Sequence, residues 1–230
     1  SYFPKCYIDD PEFNSCLLKG FQTLKPYVSN GIEEIGLPSL NPLRVSKLVV
    51  SQNGPLASYQ FLLENSTIAG LDNYYIHEFR FNPNTMTFYG RIAYDTLILA
   101  SNMDALGEVI SIPIEGKGST EVTLIGPIDG EFEINGNLKN ENGVDYYNTT
   151  SIKVNLNIYD GINFIDGFFN NNVQLTRTFN DIFNANSKLV VNIMTPVYTE
   201  LAKLGIKNLI TELTNRIPFN QLFPQRRNLF

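Results

Sequence analysis

The sequence GIEEIGLPSLNPLRVSKLVV, residues Gly31–Val50, marks the point at which this chain changes from a helical to a strand-forming pattern. Ahead of it, apolar residues recur every three or four positions, which predicts a one-sided helix over residues 11–29. After it, apolar residues recur at every second position. Pro38 and Pro42 restrict the backbone of the connecting segment. We therefore expect the N-terminal helix to be held in a set position relative to the first strand.

Residues 43–159 alternate between apolar and polar side chains, most regularly where Ile152, Val154, Leu156 and Ile158 are separated by polar residues. Alternation of this kind is typical of antiparallel strands with one buried face. Several of the strands are long, which favours a large, curling sheet. Turns are predicted at Asn53-Gly54-Pro55, Asn82-Pro83-Asn84, Gly116-Lys117-Gly118, Gly126-Pro127, Asn142-Gly143 and Asp160-Gly161.

The last third of the chain returns to a helical pattern. We predict one helix over Val173–Asn184 and a second, longer helix over Ser187–Ile217, in which Pro196 should bend the backbone or remove one hydrogen bond. The first half of the long helix is apolar around most of its circumference, as expected of a buried helix. The chain is therefore predicted to be α+β, with a long curved antiparallel sheet rolled around this helix in one domain, residues 1–230.

Composition and charge exclude several classes of partner. The 230 residues are 43% hydrophobic and carry a net charge of −6, and the 17 Lys and Arg residues are scattered. This argues against a nucleic-acid partner, which requires a basic face, and against docking on an anionic membrane. No apolar run approaches the ~20 residues of a membrane span, so we expect no stable membrane insertion. The first residues do not resemble a signal peptide, and a secreted protein would here be in its mature form.

The cysteines and two sequons bear on the cellular compartment. Cys6 and Cys16 are the only cysteines, and they are either the two halves of a disulfide or two unrelated thiols. Asn65 and Asn148 begin Asn-x-Thr/Ser sequons and are candidates for glycosylation. Taken together, these features favour a secreted protein with a Cys6–Cys16 bridge.

Catalytic motifs are few. A Ser-His-Asp triad would have to use His77, the only histidine, and the Gly116-Lys117-Gly118-Ser119-Thr120 run lacks the spacing of a phosphate-binding loop. We predict that the protein is not an enzyme and uses no metal and no cofactor, with an esterase based on His77 as a remote alternative. His77 is placed on the same strand face as Tyr75, Phe79 and Phe81, where it either hydrogen-bonds the polar head of a ligand or, as we favour, is solvated or bonded to backbone at a strand end.

Several short motifs, in order along the whole chain, resemble those of the insect takeout and juvenile-hormone-binding protein family. Gly31–Val50 resembles the family's proline-containing segment, and Cys6 and Cys16 resemble its N-terminal cysteine pair. Further matching motifs are Ile68-Ala69-Gly70-Leu71, Gly116-Lys117-Gly118, Phe168-Phe169-Asn170-Asn171-Asn172, Ile217-Pro218-Phe219 and Leu222-Phe223-Pro224.

This resemblance implies a tubular lipid-binding fold with an internal apolar tunnel, found in secreted carriers of juvenile hormone or other hydrophobic small molecules. High-affinity hormone-binding members tend to carry a second disulfide, whereas this chain has no cysteine beyond Cys16. It is therefore more similar to takeout, and the ligand stays open: a terpenoid, a fatty acid or another elongated lipid. The N-terminal helix, tethered by the bridge and by the prolines, is expected to plug one end and to act as a gate.

For the wall of the tunnel we predict the inward faces of the strands and the long helix, in a protein that is expected to be monomeric. Tyr198 is the first choice for a hydroxyl that meets a polar group of the ligand, the alternative being a core tyrosine bonded to backbone. A competing hypothesis is a secreted interaction protein whose roll is fully packed. The candidate ligand-binding residues are Tyr59, Phe61, Phe79, Phe88, Phe132, Ile134, Val154, Leu156, Met194, Val197, Tyr198 and Leu201.

Overall fold

The computed structural model describes residues 2–226, and the predicted α+β architecture is confirmed in them. A curved antiparallel sheet is rolled around a long C-terminal helix, with a short helix at the N-terminus. The elements are α1 (Phe13–Leu24), β1 (Leu43–Asn53), β2 (Ala57–Ala69), β3 (Tyr75–Asn82), β4 (Thr87–Val109), β5 (Ile112–Glu141), β6 (Val144–Asp166), α2 (Phe168–Asn171), α3 (Val173–Ala185), α4 (Ser187–Arg216) and α5 (Phe219–Leu222).

The six strands form one sheet in the order β1-β2-β4-β5-β6, and β3 pairs with β4 beside β2. All pairings are antiparallel. The long strands that the alternation predicted are present, since β4 has 23 residues, β5 has 30 and β6 has 23. A straight strand of the length of β5 would extend for roughly 100 Å, so these strands have to coil for their apolar face to enclose a core.

Bulges at neighbouring positions of three strands supply the bend. The register shifts between Tyr94 and Thr96 in β4, between Ile125 and Ile128 in β5, and at the adjoining point of β6. This line of bulges divides the sheet into two halves. The plug half contains residues 87–94, 128–141 and 144–158, and the core half contains residues 96–109, 112–125 and 160–166.

Three of the predicted turns are wrong for one physical reason. Gly116-Lys117-Gly118 and Gly126-Pro127 lie inside β5, and Asp160-Gly161 lies inside β6. In each of these three places one glycine, Gly118, Gly126 or Gly161, serves for close approach rather than for chain reversal: a Cβ on Gly126 would lie 2.6 Å from the Asp95 carbonyl oxygen. The other three predicted turns do connect strands: β1 to β2, β3 to β4, and β5 to β6.

Helices α3 and α4 fill the core half of the roll. Val190 and Val191 of α4 are buried in the same hydrophobic cluster as Phe179 and Phe183 of α3, and α4 continues through Pro196. The free edge of β6 is closed by side chains of α3. Asn180 exchanges two hydrogen bonds with the backbone of Ile165, at 2.9 and 3.0 Å, and Asn184 does the same with residue 163, at 2.8 and 2.9 Å.

The N-terminal helix is shorter than predicted. The α-helical conformation ends at Leu24, and Lys25–Tyr27 form a 3₁₀ turn, because Pro26 has no N–H to continue the α-helical pattern. The helix docks on the sheet edge through Asn14, whose side-chain oxygen Oδ1 accepts a hydrogen bond of 2.9 Å from the Phe81 N–H. We call residues 2–42, which include α1 and close one end of the roll, the plug.

Candidate functional site

An internal cavity of about 700 Å³ lies between the plug half of the sheet, the second half of α4 and the plug. This volume is within the range of small-molecule sites in proteins. The sheet supplies aromatic and aliphatic side chains from the inward face of the plug half and of the strands next to it. They are Leu43, Ile68, Ile76, Phe79, Phe88, Ile92, Tyr94, Leu97, Leu99, Leu124, Ile128, Phe132, Ile134, Val154, Leu156 and Ile158.

Helix α4 contributes one continuous stripe to the cavity. The stripe begins at Tyr198 and ends at Ile217, the residue that directly follows α4, so at 1.5 Å per residue it is about 28 Å long. The cavity is therefore elongated along the helix. The lining residues recur at the three- and four-residue spacing of one helix face: Tyr198, Leu201, Ala202, Gly205, Ile206, Leu209, Ile210, Leu213, Thr214 and Ile217.

The plug closes the cavity with the apolar face of α1. Leu17, Phe21 and Leu24 line the space, and the carbonyl of Phe21 accepts a hydrogen bond from the Tyr74 hydroxyl. The C-terminal segment completes this end of the roll. The ring of Phe223 packs against those of Phe13 and Phe81, with centroid distances of 5.5 and 5.0 Å.

Polar groups are sparse on the wall. Among the described residues, the charged side chains that line it are Lys5 and Glu131, and both are exposed. Burial raises the pKa of Tyr74 to about 12 and also raises the pKa values of Tyr94 and Tyr198, so these phenols are neutral near neutral pH. The cavity can hold an apolar molecule and offer it a few uncharged hydrogen-bonding groups.

A smaller chamber of about 60 Å³ lies in the core half, on the other side of Tyr198 and Leu201. These two residues and Leu99 line both spaces. The hydroxyl of Tyr198 is buried and has no hydrogen-bond partner among residues 2–226. It is therefore not the core tyrosine bonded to backbone that the sequence left as an alternative.

The predicted ligand-binding residues divide between the two spaces. Eight line the large cavity: Phe79, Phe88, Phe132, Ile134, Val154, Leu156, Tyr198 and Leu201. Phe61, Met194 and Val197 line the small chamber instead. Tyr59 lines neither, since its ring stacks on Phe61 with a centroid distance of 4.1 Å and its hydroxyl donates to Gln52. That any of these residues contacts a ligand stays a prediction.

Sequence reasoning missed much of the wall, including the linker residues Ile35, Leu37 and Leu40 and the α4 stripe beyond Leu201. The stripe had a usable signal, because Leu209, Leu213 and Ile217 continue the spacing set by Tyr198 and Leu201. The linker residues had none, since an apolar loop residue carries no periodicity that shows where it points.

The other predicted positions have clear placements. Cys6 and Cys16 form a disulfide that joins the N-terminal arm to α1. Asn65 and Asn148 are exposed on strands, and whether they carry glycans stays a prediction. His77 is exposed as favoured, but its predicted shared face with Phe79 and Phe81 is wrong, because a bulge between Ile76 and Glu78 separates them.

Two other kinds of site are not found in residues 2–226. No group of three or more His, Cys, Asp or Glu side chains is placed to hold a metal ion. No helix there combines the length and the apolarity that crossing a bilayer requires.

Comparison with known proteins agrees with this architecture. A crystal structure of Takeout 1 from Epiphyas postvittana superimposes with a TM-score of 0.74, covering 96% of this chain and 99% of that chain at 18% sequence identity. At that identity the match shows a shared fold. No curated protein sequence matches the chain. The model of the haemolymph juvenile hormone binding protein family, however, matches residues 1–224, almost the entire sequence. The chain therefore belongs to the haemolymph juvenile hormone binding protein family.

Proposed function

We propose that this protein is a secreted, single-domain carrier that holds one hydrophobic small molecule in its internal cavity. The ligand is an elongated lipid, such as a juvenile-hormone-like terpenoid or a fatty acid. The observation that carries the proposal is the elongated 700 Å³ space walled by aliphatic and aromatic side chains. Burying apolar surface there stabilises a complex by roughly 25 cal/mol per Å². Family membership and the disulfide support the extracellular role.

The open cavity speaks against the alternative of a fully packed interaction protein, because cores of that kind leave few voids larger than a water molecule. An esterase based on His77 is also not favoured. That side chain is exposed on a bulge of β3 and is absent from the residues that line either space. We propose a binding role without catalysis, and a His77→Ala variant with reduced esterase turnover would contradict it.

The experiment is displacement of the neutral fluorescent probe N-phenylnaphthylamine by lipids, with solvent extraction and native mass spectrometry of the purified protein. Ala202→Phe places a ring inside the cavity from the middle of the α4 stripe and should abolish probe binding. Asn208→Phe is the matched control, since it adds the same ring on an exposed position of the same helix. Size-exclusion chromatography tests the proposed monomer. If the protein carries no lipid and binds no probe, the result would contradict the carrier function and favour the hypothesis of an interaction protein.

A further inference from the structure

Two residues on the wall of the small chamber each carry a buried hydrogen-bond donor without a partner. Besides the Tyr198 hydroxyl, the side-chain nitrogen Nδ2 of Asn163 is buried and has no hydrogen-bond partner in residues 2–226. Both residues line the chamber. On the same wall, the hydroxyls of Ser66 and Ser101 lie 2.8 Å apart and bond to each other. Buried donors without partners are rare in proteins, so two of them around one space require an explanation.

The small chamber and the large cavity share part of their walls. Tyr198, Leu201 and Leu99 border both spaces, so one phenol stands at the boundary. A volume of about 60 Å³ admits a group the size of one or two water molecules, at about 30 Å³ each. It is too small for a second lipid, but it is large enough for the polar end of a ligand whose chain occupies the large cavity.

The charge of that polar end follows from the chamber walls. The lining includes no Lys, Arg, Asp or Glu among the described residues. An ionised carboxylate buried there would lack a counter-charge, which makes its desolvation unfavourable. One N–H donor from Asn163 and one O–H donor from Tyr198 match a neutral oxygen that has two lone pairs. Burial raises the pKa of Tyr198, so its hydroxyl keeps its proton.

We propose that the small chamber receives an uncharged carbonyl group at the end of the lipid, as in an ester, ketone or aldehyde, which accepts hydrogen bonds from the Tyr198 hydroxyl and Asn163 Nδ2. This inference rests on the proposed carrier function and adds to it the orientation and chemical class of the ligand. The carbonyl end lies in the core half, and the hydrocarbon extends along the α4 stripe towards the plug.

Three lipids with the same chain test it by probe displacement: hexadecane, methyl palmitate and ionised palmitate. In the native protein, methyl palmitate should bind more tightly than the other two. Tyr198→Phe and Asn163→Leu should each lower the affinity for methyl palmitate roughly fivefold, the effect of one hydrogen bond. The affinity for hexadecane should stay unchanged. Tyr59→Phe is the matched control, because its hydroxyl already donates to Gln52 and it lines neither space.

Thermal unfolding without ligand gives a second readout. Because the Tyr198 hydroxyl is unpaired, Tyr198→Phe should raise the Tm, by about 2–4 °C for a chain of this length. Tyr59→Phe should lower it, since that change breaks an existing hydrogen bond. A lower Tm in Tyr198→Phe would show that the hydroxyl is already satisfied inside the protein and would overturn the inference.

The remaining outcomes separate this inference from the carrier function. Hexadecane binding combined with unchanged methyl palmitate affinity in both variants overturns the inference alone. Palmitate binding as tightly as its ester also overturns it, and would place the charged head near Lys5 instead. If the native protein binds none of the three lipids and no probe, the carrier function and the inference fail together.

Discussion

The two halves of the roll share one sheet and one long helix, yet one half is packed and the other is hollow. In the core half, α3 lies beside α4, and Phe179 and Phe183 fill the concave face of the sheet. In the plug half, the second half of α4 borders the open cavity, and α1 and the short α5 contribute lining residues at its end. The cavity therefore lies in the half of the roll where no helix of the length of α3 packs beside α4.

The line of bulges allows this difference. It reverses the inward parity of β4, where Phe88 and Ile92 face inward before the bulge, and Leu97 and Leu99 after it. Each half can therefore curve separately while the hydrogen bonding continues across the break. The packed half holds the sheet and helix together, so that the hollow half need not collapse.

The largest expected effect comes from removing a ring in each half. Phe183→Ala in the core half should lower the free energy of unfolding by about 3–5 kcal/mol, because it removes a buried ring and enlarges the small chamber. Phe79→Ala in the cavity wall should cost about 1–2 kcal/mol, since the ring already faces open space. Urea unfolding of both variants measures the difference. Equal losses would mean that the plug half is as tightly packed as the core half.

The next effect tests what holds α3 in place. Asn180→Ala removes two hydrogen bonds and leaves the buried N–H and C=O of Ile165 unpaired, a loss of about 2–4 kcal/mol. Asn157→Ala is the control, because Asn157 is exposed on β6, the strand that contains Ile165. It should change the free energy of unfolding by less than about 0.5 kcal/mol. Hydrogen exchange should show faster exchange of the Ile165 amide. Unchanged exchange there would show that α3 docks by its rings alone.

Replacing both Cys6 and Cys16 by Ser should act on the hollow half. The bridge spans 10 positions within the plug, and its loss should weaken that element by ~2–3 kcal/mol. If the proposed ligand leaves past the plug, its release should become tens of times faster, while circular dichroism stays unchanged. Stopped-flow dissociation of a bound fluorescent lipid measures this. An unchanged off-rate would mean that the plug is structural and the exit lies elsewhere.

The smallest effect is expected in alkaline solution. Burial raises the pKa values of Tyr59, in the core half, and Tyr74, at the cavity, to about 12, whereas tyrosines of the unfolded chain titrate near 10. Between about pH 10 and 12 the unfolded state therefore binds fewer protons, and stability falls as pH rises. Tyr59→Phe and Tyr74→Phe should each make the fall of Tm with pH less steep. A slope changed by one variant alone would show that the halves do not unfold together.

The sequence was sufficient for the roll but only partly for its hollow part. The regular alternation of β6 correctly placed Val154 and Leu156 on the inward face, and the long helix was predicted to within one residue. Met194 and Val197 lie where α4 is most apolar, and that apolarity is what predicts them as cavity residues. A helix segment that is apolar on all sides, however, is surrounded by packed neighbours, so those residues line the small chamber.

The bulges and the inward direction of the linker residues could not be predicted from the sequence, for a different reason. A bulge depends on pairing between strands, and the residues of β3 give no local sign that parity changes at His77. Gly126 and Gly118 look like turn residues because glycine suits both chain reversal and close approach. The choice between those two uses depends on what lies opposite: the Asp95 carbonyl for Gly126, and the backbone of Asp166 for Gly118.

The four hydrogen bonds that join α3 to the edge of β6 have a further consequence. They are made by the carboxamides of Asn180 and Asn184, which carry no charge and do not ionise. Ion pairs such as Lys117 with Asp104 lie at the surface, where dissolved salt screens them. These hydrogen bonds between α3 and β6 involve no charged group that salt could screen or acid could protonate. The closure of the core half should therefore be as firm in concentrated salt as in dilute buffer.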